Sequence, residues 1–181
     1  MDDLPQLRYR SLLEKRWDAM FNLLGIEPDY EYPLDFPNNG ENWLPDWILP
    51  GDPPLLVEAK GVAGFQDMDS HAEILRAKRK ANSIGLTLVA VGPKPVKTEE
   101  GVLFGVAFQP RQIPTKAFLD LDFGTKGFVN VTVRTRYDVL YQSTSEAFRE
   151  SELAHSDKFS ANYLWRVAQL QSRWNPKKGT P

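Results

Sequence analysis

Apolar positions along the chain fall into two rhythms, one helical and one extended. In residues 8–24, "RYRSLLEKRWDAMFNLL", Leu13, Trp17, Met20, Phe21 and Leu24 recur at helical spacing, and Gly25 supplies a stop. This predicts a helix over 8–24. Residues 29–36 read as extended chain, with prolines suited to a sheet edge. "WLPDWIL" and "LLVEAK" are short apolar runs separated by "PGDPP", the pattern of a hairpin with a five-residue loop. Ser70, His71, Ala72 and Glu73 have the spacing of a capping box, which predicts a helix from Ala72 to Ser83. "LTLVAVG" is a continuous β-rich run of the kind covered on both faces. "VLFGVAF", "AFLDLDF" and "FVNVTVR" predict further strands, residues 157–174 a closing helix, and 175–181 a frayed basic tail. The order predicts an α/β fold with a central mixed β-sheet flanked by helices. No repeat or linker divides the chain, so residues 1–181 read as a single domain.

Within that frame, the hairpin carries an anomaly. Asp46 sits among Leu44, Trp47, Ile48 and Leu49, and Glu58 follows Leu55, Leu56 and Val57. Buried charges are costly unless paired or bound to a metal. Side chains alternate along a strand, so Leu56, Glu58 and Lys60 share one face. If the loop is Pro50 to Pro54, Leu49 faces Leu55, and regular antiparallel counting sets Asp46 opposite Glu58. Directly opposed residues have Cβ atoms roughly 4.5–5.5 Å apart, and like charges there repel. A divalent cation would relieve that repulsion. Lys60, about 6.6 Å further along, would then address a substrate beside it. Glu14 lies on the flank of the first helix's apolar stripe. It either points toward the sheet or pairs with Arg10 at i−4 on the surface. An E-x-K triplet also occurs on ordinary solvated strand faces, and Asp46 alone could be a turn residue.

Composition narrows the chemistry. Hydrophobic residues make up 41% and charged residues 25%, a globular profile, and no apolar run approaches membrane-spanning length. The opening "MDDLPQLRYR" lacks the apolar centre of a signal peptide. Cysteine is absent, and His71 and His155 are the two histidines. Thiolate sites are therefore excluded and an imidazole-rich zinc site is disfavoured, so a metal here would be held by oxygen: Mg2+, Mn2+ or Ca2+. The net charge of −2 hides an asymmetry: residues 1–60 carry twelve Asp/Glu against five Lys/Arg, the remainder twelve against seventeen. A near-neutral total thus leaves room for a local basic surface and a polyanionic partner.

Taken together, "Pro45-Asp46", "Glu58-Ala59-Lys60" and the opening "YRSLLEKRW" resemble the PD-(D/E)XK nuclease superfamily, in particular its small stand-alone phage-type members. The resemblance covers residues 8–92, a nuclease-like core; residues 93–181 would add strands and the C-terminal helix. It implies a restriction-endonuclease-like core and hydrolysis of phosphodiester bonds, with DNA the expected substrate and Mg2+ (or Mn2+) the cofactor. By position, it implies that Asp46, Glu58 and the backbone carbonyl of Ala59 bind the metal. Lys60 would orient or help deprotonate the attacking water and stabilise negative charge. Glu14 would act through a water or a second metal. The helix after the core motif would supply Lys78 or, preferably, Lys80. A cytoplasmic location in a bacterial or phage-infected cell, no membrane partner and a possible homodimer belong to the same expectation.

Arg76, Lys78, Arg79 and Lys80 form one basic cluster for nucleic-acid contact, and Lys158, Arg166, Arg173, Lys177 and Lys178 a sparser one. Either is also what an ordinary solvated face looks like. Trp43, Trp47, Tyr163, Trp165 and Trp174 could stack on bases, but most fit core packing. His71 and His155 read as capping or surface residues. Two rival readings stay open: a catalytically inactive nucleic-acid-binding or assembly protein with the same fold, and a chance hairpin in an unrelated α/β domain.

Overall fold

The computed structural model describes residues 10–34, 43–62, 64–123, 129–145 and 161–172. Its elements in chain order are α1 (Leu12–Leu23), β1 (Asp29–Tyr30), β2 (Trp47–Leu49), β3 (Leu55–Ala59), α2 (Phe65–Ser70), α3 (Ala72–Ser83), β4 (Thr87–Thr98), β5 (Gly101–Phe108), β6 (Thr115–Phe123), β7 (Val129–Arg134), β8 (Val139–Ser145) and α4 (Ala161–Gln171). The strands form an open eight-stranded sheet in sequential order. Neighbours are antiparallel except β3 and β4. A parallel pair needs a crossover, and α2 with α3 supplies it. The fold is therefore α/β with a mixed sheet.

Helix α1 begins where Ser11 caps it, its Oγ accepting from the Glu14 N–H at 3.1 Å. Trp17, Met20, Phe21 and Leu24 lie on one stripe and are fully buried. The helix ends at Gly25, whose φ of 66° is the left-handed conformation that lets the Ile26 N–H reach back to the Phe21 carbonyl. Together with α4, it covers one sheet face over Trp47, Leu49, Leu55, Val57, Val89, Val91 and the inward side chains of β5–β8. Helices α2 and α3 cover the opposite face over Ile48, Leu56, Leu88, Ala90, Val106 and Phe108. Strand β3 is buried along its whole length because helices cover both its faces.

The hairpin pairs as counted, with Trp47 opposite Val57, Ile48 opposite Leu56, and Leu49 opposite Leu55. Continuing that register sets Asp46 opposite Glu58, at the end of β3 where the strand emerges from the core.

Four features differ from the sequence expectation. Ser70 does not cap α3: it closes α2, and its Oγ donates to the carbonyls of Gln66 and Asp67. His71 holds the N-cap position without a side-chain bond, so Glu73 is free to point elsewhere. Helix α2 has six residues, too few to show a period. Strand β4 continues past Gly92, the last residue of the run "LTLVAVG", to Thr98 through a register shift against β5. Strand β8, "VLYQSTS", has no apolar signal in the sequence because Tyr141 is its one buried side chain among those described. The expected helix over 157–174 is described as Ala161–Gln171, and residues 8–9, 35–36, 157–160 and 173–181 lie outside the described residues. No helix among the described residues is long and apolar enough to cross a membrane.

Candidate metal centre

Asp46 enters β2 from Pro45 and is almost wholly buried, 1% exposed. Its Oδ2 accepts from the Ala59 N–H at 2.7 Å, and its Oδ1 from Nη2 of Arg10 at 2.8 Å. Glu58, also buried, stands one pleat step before Lys60, whose Nζ lies 2.9 Å from Glu58 Oε1. The other carboxylate oxygen, Glu58 Oε2, is buried and meets no donor in good hydrogen-bond geometry among the described residues, although the nearby Asp46 backbone N–H still favours the charged form of Glu58. From α3, Glu73 reaches over the strand end, placing Oε2 3.1 Å from Lys60 Nζ. In extended backbone the N–H and C=O of one residue point to the same side, so Ala59, whose N–H faces Asp46, directs its carbonyl toward that side too.

Two acids in this setting are electrostatically uncomfortable. Burial pushes the Asp46 carboxyl up to about 7, and the charge of Glu58 adds to the shift, against the opposing Ala59 N–H and Lys60. Burial raises Glu58 as well, while Lys60 pulls the other way. Burial works against the ammonium of Lys60, but Glu58 and Glu73 outweigh it and its pKa rises. Lys60 therefore stays protonated, and the bond it donates lowers the pKa of the exposed Glu73.

Glu14 occupies the helix side of this cluster rather than its centre. It is buried, and its Oε2 accepts from the Arg10 backbone N–H at 2.9 Å and from the Tyr30 hydroxyl. The hydroxyl's pKa is raised, first by burial and then by this bond. The Arg10 side chain turns from Glu14 to bridge Asp46 and Glu31. Neither alternative for Glu14 holds in simple form: it is buried, yet it meets Asp46 through Arg10, the residue at i−4.

The sequence gives no sign of the tertiary pairings of Arg10, Tyr30, Glu31 and Glu73. Glu73 had a local explanation as a cap, which hid its tertiary one. Arg10 is 36 positions from Asp46, and no local pattern signals a pairing over that distance. The basic residues of α3 stand apart from the acids. Lys80 is seven residues beyond Glu73, about 10 Å along the axis. Lys78 lies over the Phe108 ring at 5.1 Å and 4.0 Å from Asp69. Arg76 and Arg79 are exposed, as is Arg166 on α4; Lys158, Arg173, Lys177, Lys178, His155 and Trp174 lie outside the described residues. Trp47 and Trp165 are core, while Trp43 and Tyr163 are partly buried against it. Beyond the strand end, an apolar cavity of about 120 Å³ opens between α2 and the β4–β5 shift, lined by Phe65, Met68, Gly92, Phe104 and Val106.

Asp46, Glu58 and the Ala59 carbonyl could hold an oxygen-seeking divalent cation. Glu58 Oε2 fits that role, because a buried anionic oxygen with no well-aligned donor among the described residues is what a cation satisfies. Two features limit the fit. Each acid already touches one cationic side chain. Among the described residues, no group of three or more His, Asp or Glu side chains gathers to hold an ion. Waters or a substrate phosphate would have to complete the shell. Comparisons with protein-family models, with curated proteins and with solved structures find no match, so the resemblance to PD-(D/E)XK nucleases stands on these residues and their order alone.

Proposed function

We propose that this chain is a divalent-metal-dependent nuclease that hydrolyses phosphodiester bonds in DNA, with a restriction-endonuclease-like core spanning the hairpin, the crossover helices and β4. The observation that carries the reading is the opposed buried pair Asp46 and Glu58, one of whose oxygens meets no well-aligned donor among the described residues, beside a protonated lysine. A bound Mg2+ or Mn2+ would neutralise phosphate charge and supply an activated water. Asp46 and Glu58 would hold the ion, with Ala59 offering its carbonyl. The Ala59 N–H fixes the orientation of Asp46. Lys60, held between Glu58 and Glu73, keeps its proton and suits stabilising negative charge on a phosphoryl oxygen better than accepting a proton from water. Glu14 positions this constellation through Arg10 and Tyr30. DNA as substrate rests on the resemblance, with the exposed Arg79 of α3 suited to a backbone phosphate.

Plasmid, linear duplex, single strands and RNA, each incubated with Mg2+ or Mn2+, test the proposal. Cutting of DNA is expected from the wild-type chain. Glu58→Ala and Lys60→Ala should reduce the rate by about a thousandfold while unfolding as cooperatively as the parent. Intact substrates throughout, with a folded protein, would sink the reading.

A second reading is a non-catalytic nucleic-acid-binding or assembly protein. It is favoured by the ion pairs that Arg10 and Lys60 make with the two acids. Duplex binding in Ca2+ without cleavage in Mg2+ would select it.

A further inference from the structure

Arg10 is held at both ends, yet its side chain lies largely in solvent. Its backbone N–H donates to Glu14 Oε2 at 2.9 Å and lies 3.3 Å from the Tyr30 hydroxyl oxygen. Its side chain is 59% exposed, yet it reaches the buried Asp46. The guanidinium spans two acids, with Nη2 on Asp46 Oδ1 and Nε on Glu31. Glu31 is held in place for this contact. Its N–H donates to the Asp46 carbonyl at 3.1 Å, and its φ of 49° is a left-handed conformation that non-glycine residues rarely adopt. Asp46 Oδ2 is committed to the Ala59 N–H. The oxygen left for an ion is therefore Oδ1, which Arg10 holds.

Resting on the metal reading above, we infer that Arg10 is an internal counter-ion that competes with the divalent cation for Asp46 Oδ1 and, once displaced, turns to a substrate phosphate. Like-charged groups cannot share one buried carboxylate oxygen without a large repulsion. Displacement leaves the guanidinium tethered through Glu31 at the solvent side of the site. There its planar fork matches a phosphate better than any lysine would. Arg10 thus has two roles: it aligns the Asp46 carboxylate through Oδ1 before the ion arrives, and adds anion affinity afterwards.

Calorimetric titration of Mn2+ alone, at about pH 8, into the full chain and its Arg10→Ala and Arg10→Lys variants reads this directly, without any turnover. Removing the competing charge should tighten Mn2+ binding by about tenfold in Arg10→Ala. In Arg10→Lys the gain should be smaller but present, because an ammonium lacks the fork that bridges both acids. In Ca2+, which allows binding to be read without cutting, a short DNA duplex should bind Arg10→Ala several-fold more weakly than wild type. If the wild-type chain binds Mn2+ and a folded Arg10→Ala binds it no more tightly, this inference falls while the metal reading stands. If neither binds Mn2+, the metal reading fails and takes this one with it. Should Arg10→Ala not fold, Arg10→Lys decides, since unchanged or weaker Mn2+ binding by that variant also overturns the inference.

Discussion

At the residue scale, the Asp46–Glu58 pair makes stability depend on pH in an unusual direction. Both carboxyls have raised values in the folded chain, Asp46 to about 7. Each therefore holds its proton more tightly folded than unfolded. The stability this contributes is fully present below the ordinary carboxylate range of about 4 and is lost as pH rises through about 7. In metal-free buffer the melting temperature should fall by several degrees between about pH 5 and pH 8. Glu58→Gln keeps an acceptor for Lys60 and removes the repulsion, so it should flatten that fall and melt higher than wild type at the upper pH. Added Mn2+ should restore the wild-type chain there and leave Glu58→Gln unmoved. A wild-type profile flat across this range, read by scanning calorimetry, would contradict the assignment. Asp46, Glu58 and Lys60 were legible in the sequence because a strand's period of two and a short loop leave little freedom in the count. Arg10, Glu31 and Tyr30 were not, because their roles depend on where α1 and β1 meet β2.

At the element scale, the shift between β4 and β5 sets where the long strand can bend past the end of β3. Gly105 makes it possible: a Cβ there would sit 2.1 Å from the Ala90 carbonyl oxygen and 2.9 Å from its carbon. Those are backbone atoms inside a paired ladder and cannot step aside. Gly105→Ala should therefore destabilise by about 3 kcal/mol, measured by urea unfolding, the scale of an overpacked core. A variant as stable as wild type would show that the two strands separate easily. The elements themselves were legible in proportion to their apolar content. Helices α1 and α3 and strands β3, β5 and β7 carry periodic or continuous apolar patterns. Strand β8 and helix α2 do not, and only their neighbours define them. The mistaken cap at Ser70 shows the limit of local spacing: the same four residues satisfy a capping box on paper, while a preceding helix claims the serine.

At the scale of the whole molecule, Trp17 fastens the helices to the sheet. Its Nε1–H donates to the Gly92 carbonyl at 2.8 Å, its ring meets Phe104 edge-on at 5.3 Å, and it lies 4.7 Å from Trp165 of α4. It thereby joins α1, β4, β5 and α4. Trp17→Ala should lower unfolding free energy by about 3–5 kcal/mol in urea titration, because so rigidly surrounded a void cannot collapse.

What the sequence determined by itself was the α/β order, the hairpin and its register, and the meeting of two acids beside a lysine. Each follows from alternation and short loops, which act over a few residues. What only the tertiary structure decided was the set of partners these three side chains acquire: Arg10 on Asp46, Glu73 on Lys60, and no well-aligned donor among the described residues on Glu58 Oε2. Charged side chains are long and their pairings are settled by which elements pack at the strand ends, a property of the assembled sheet rather than of any local stretch.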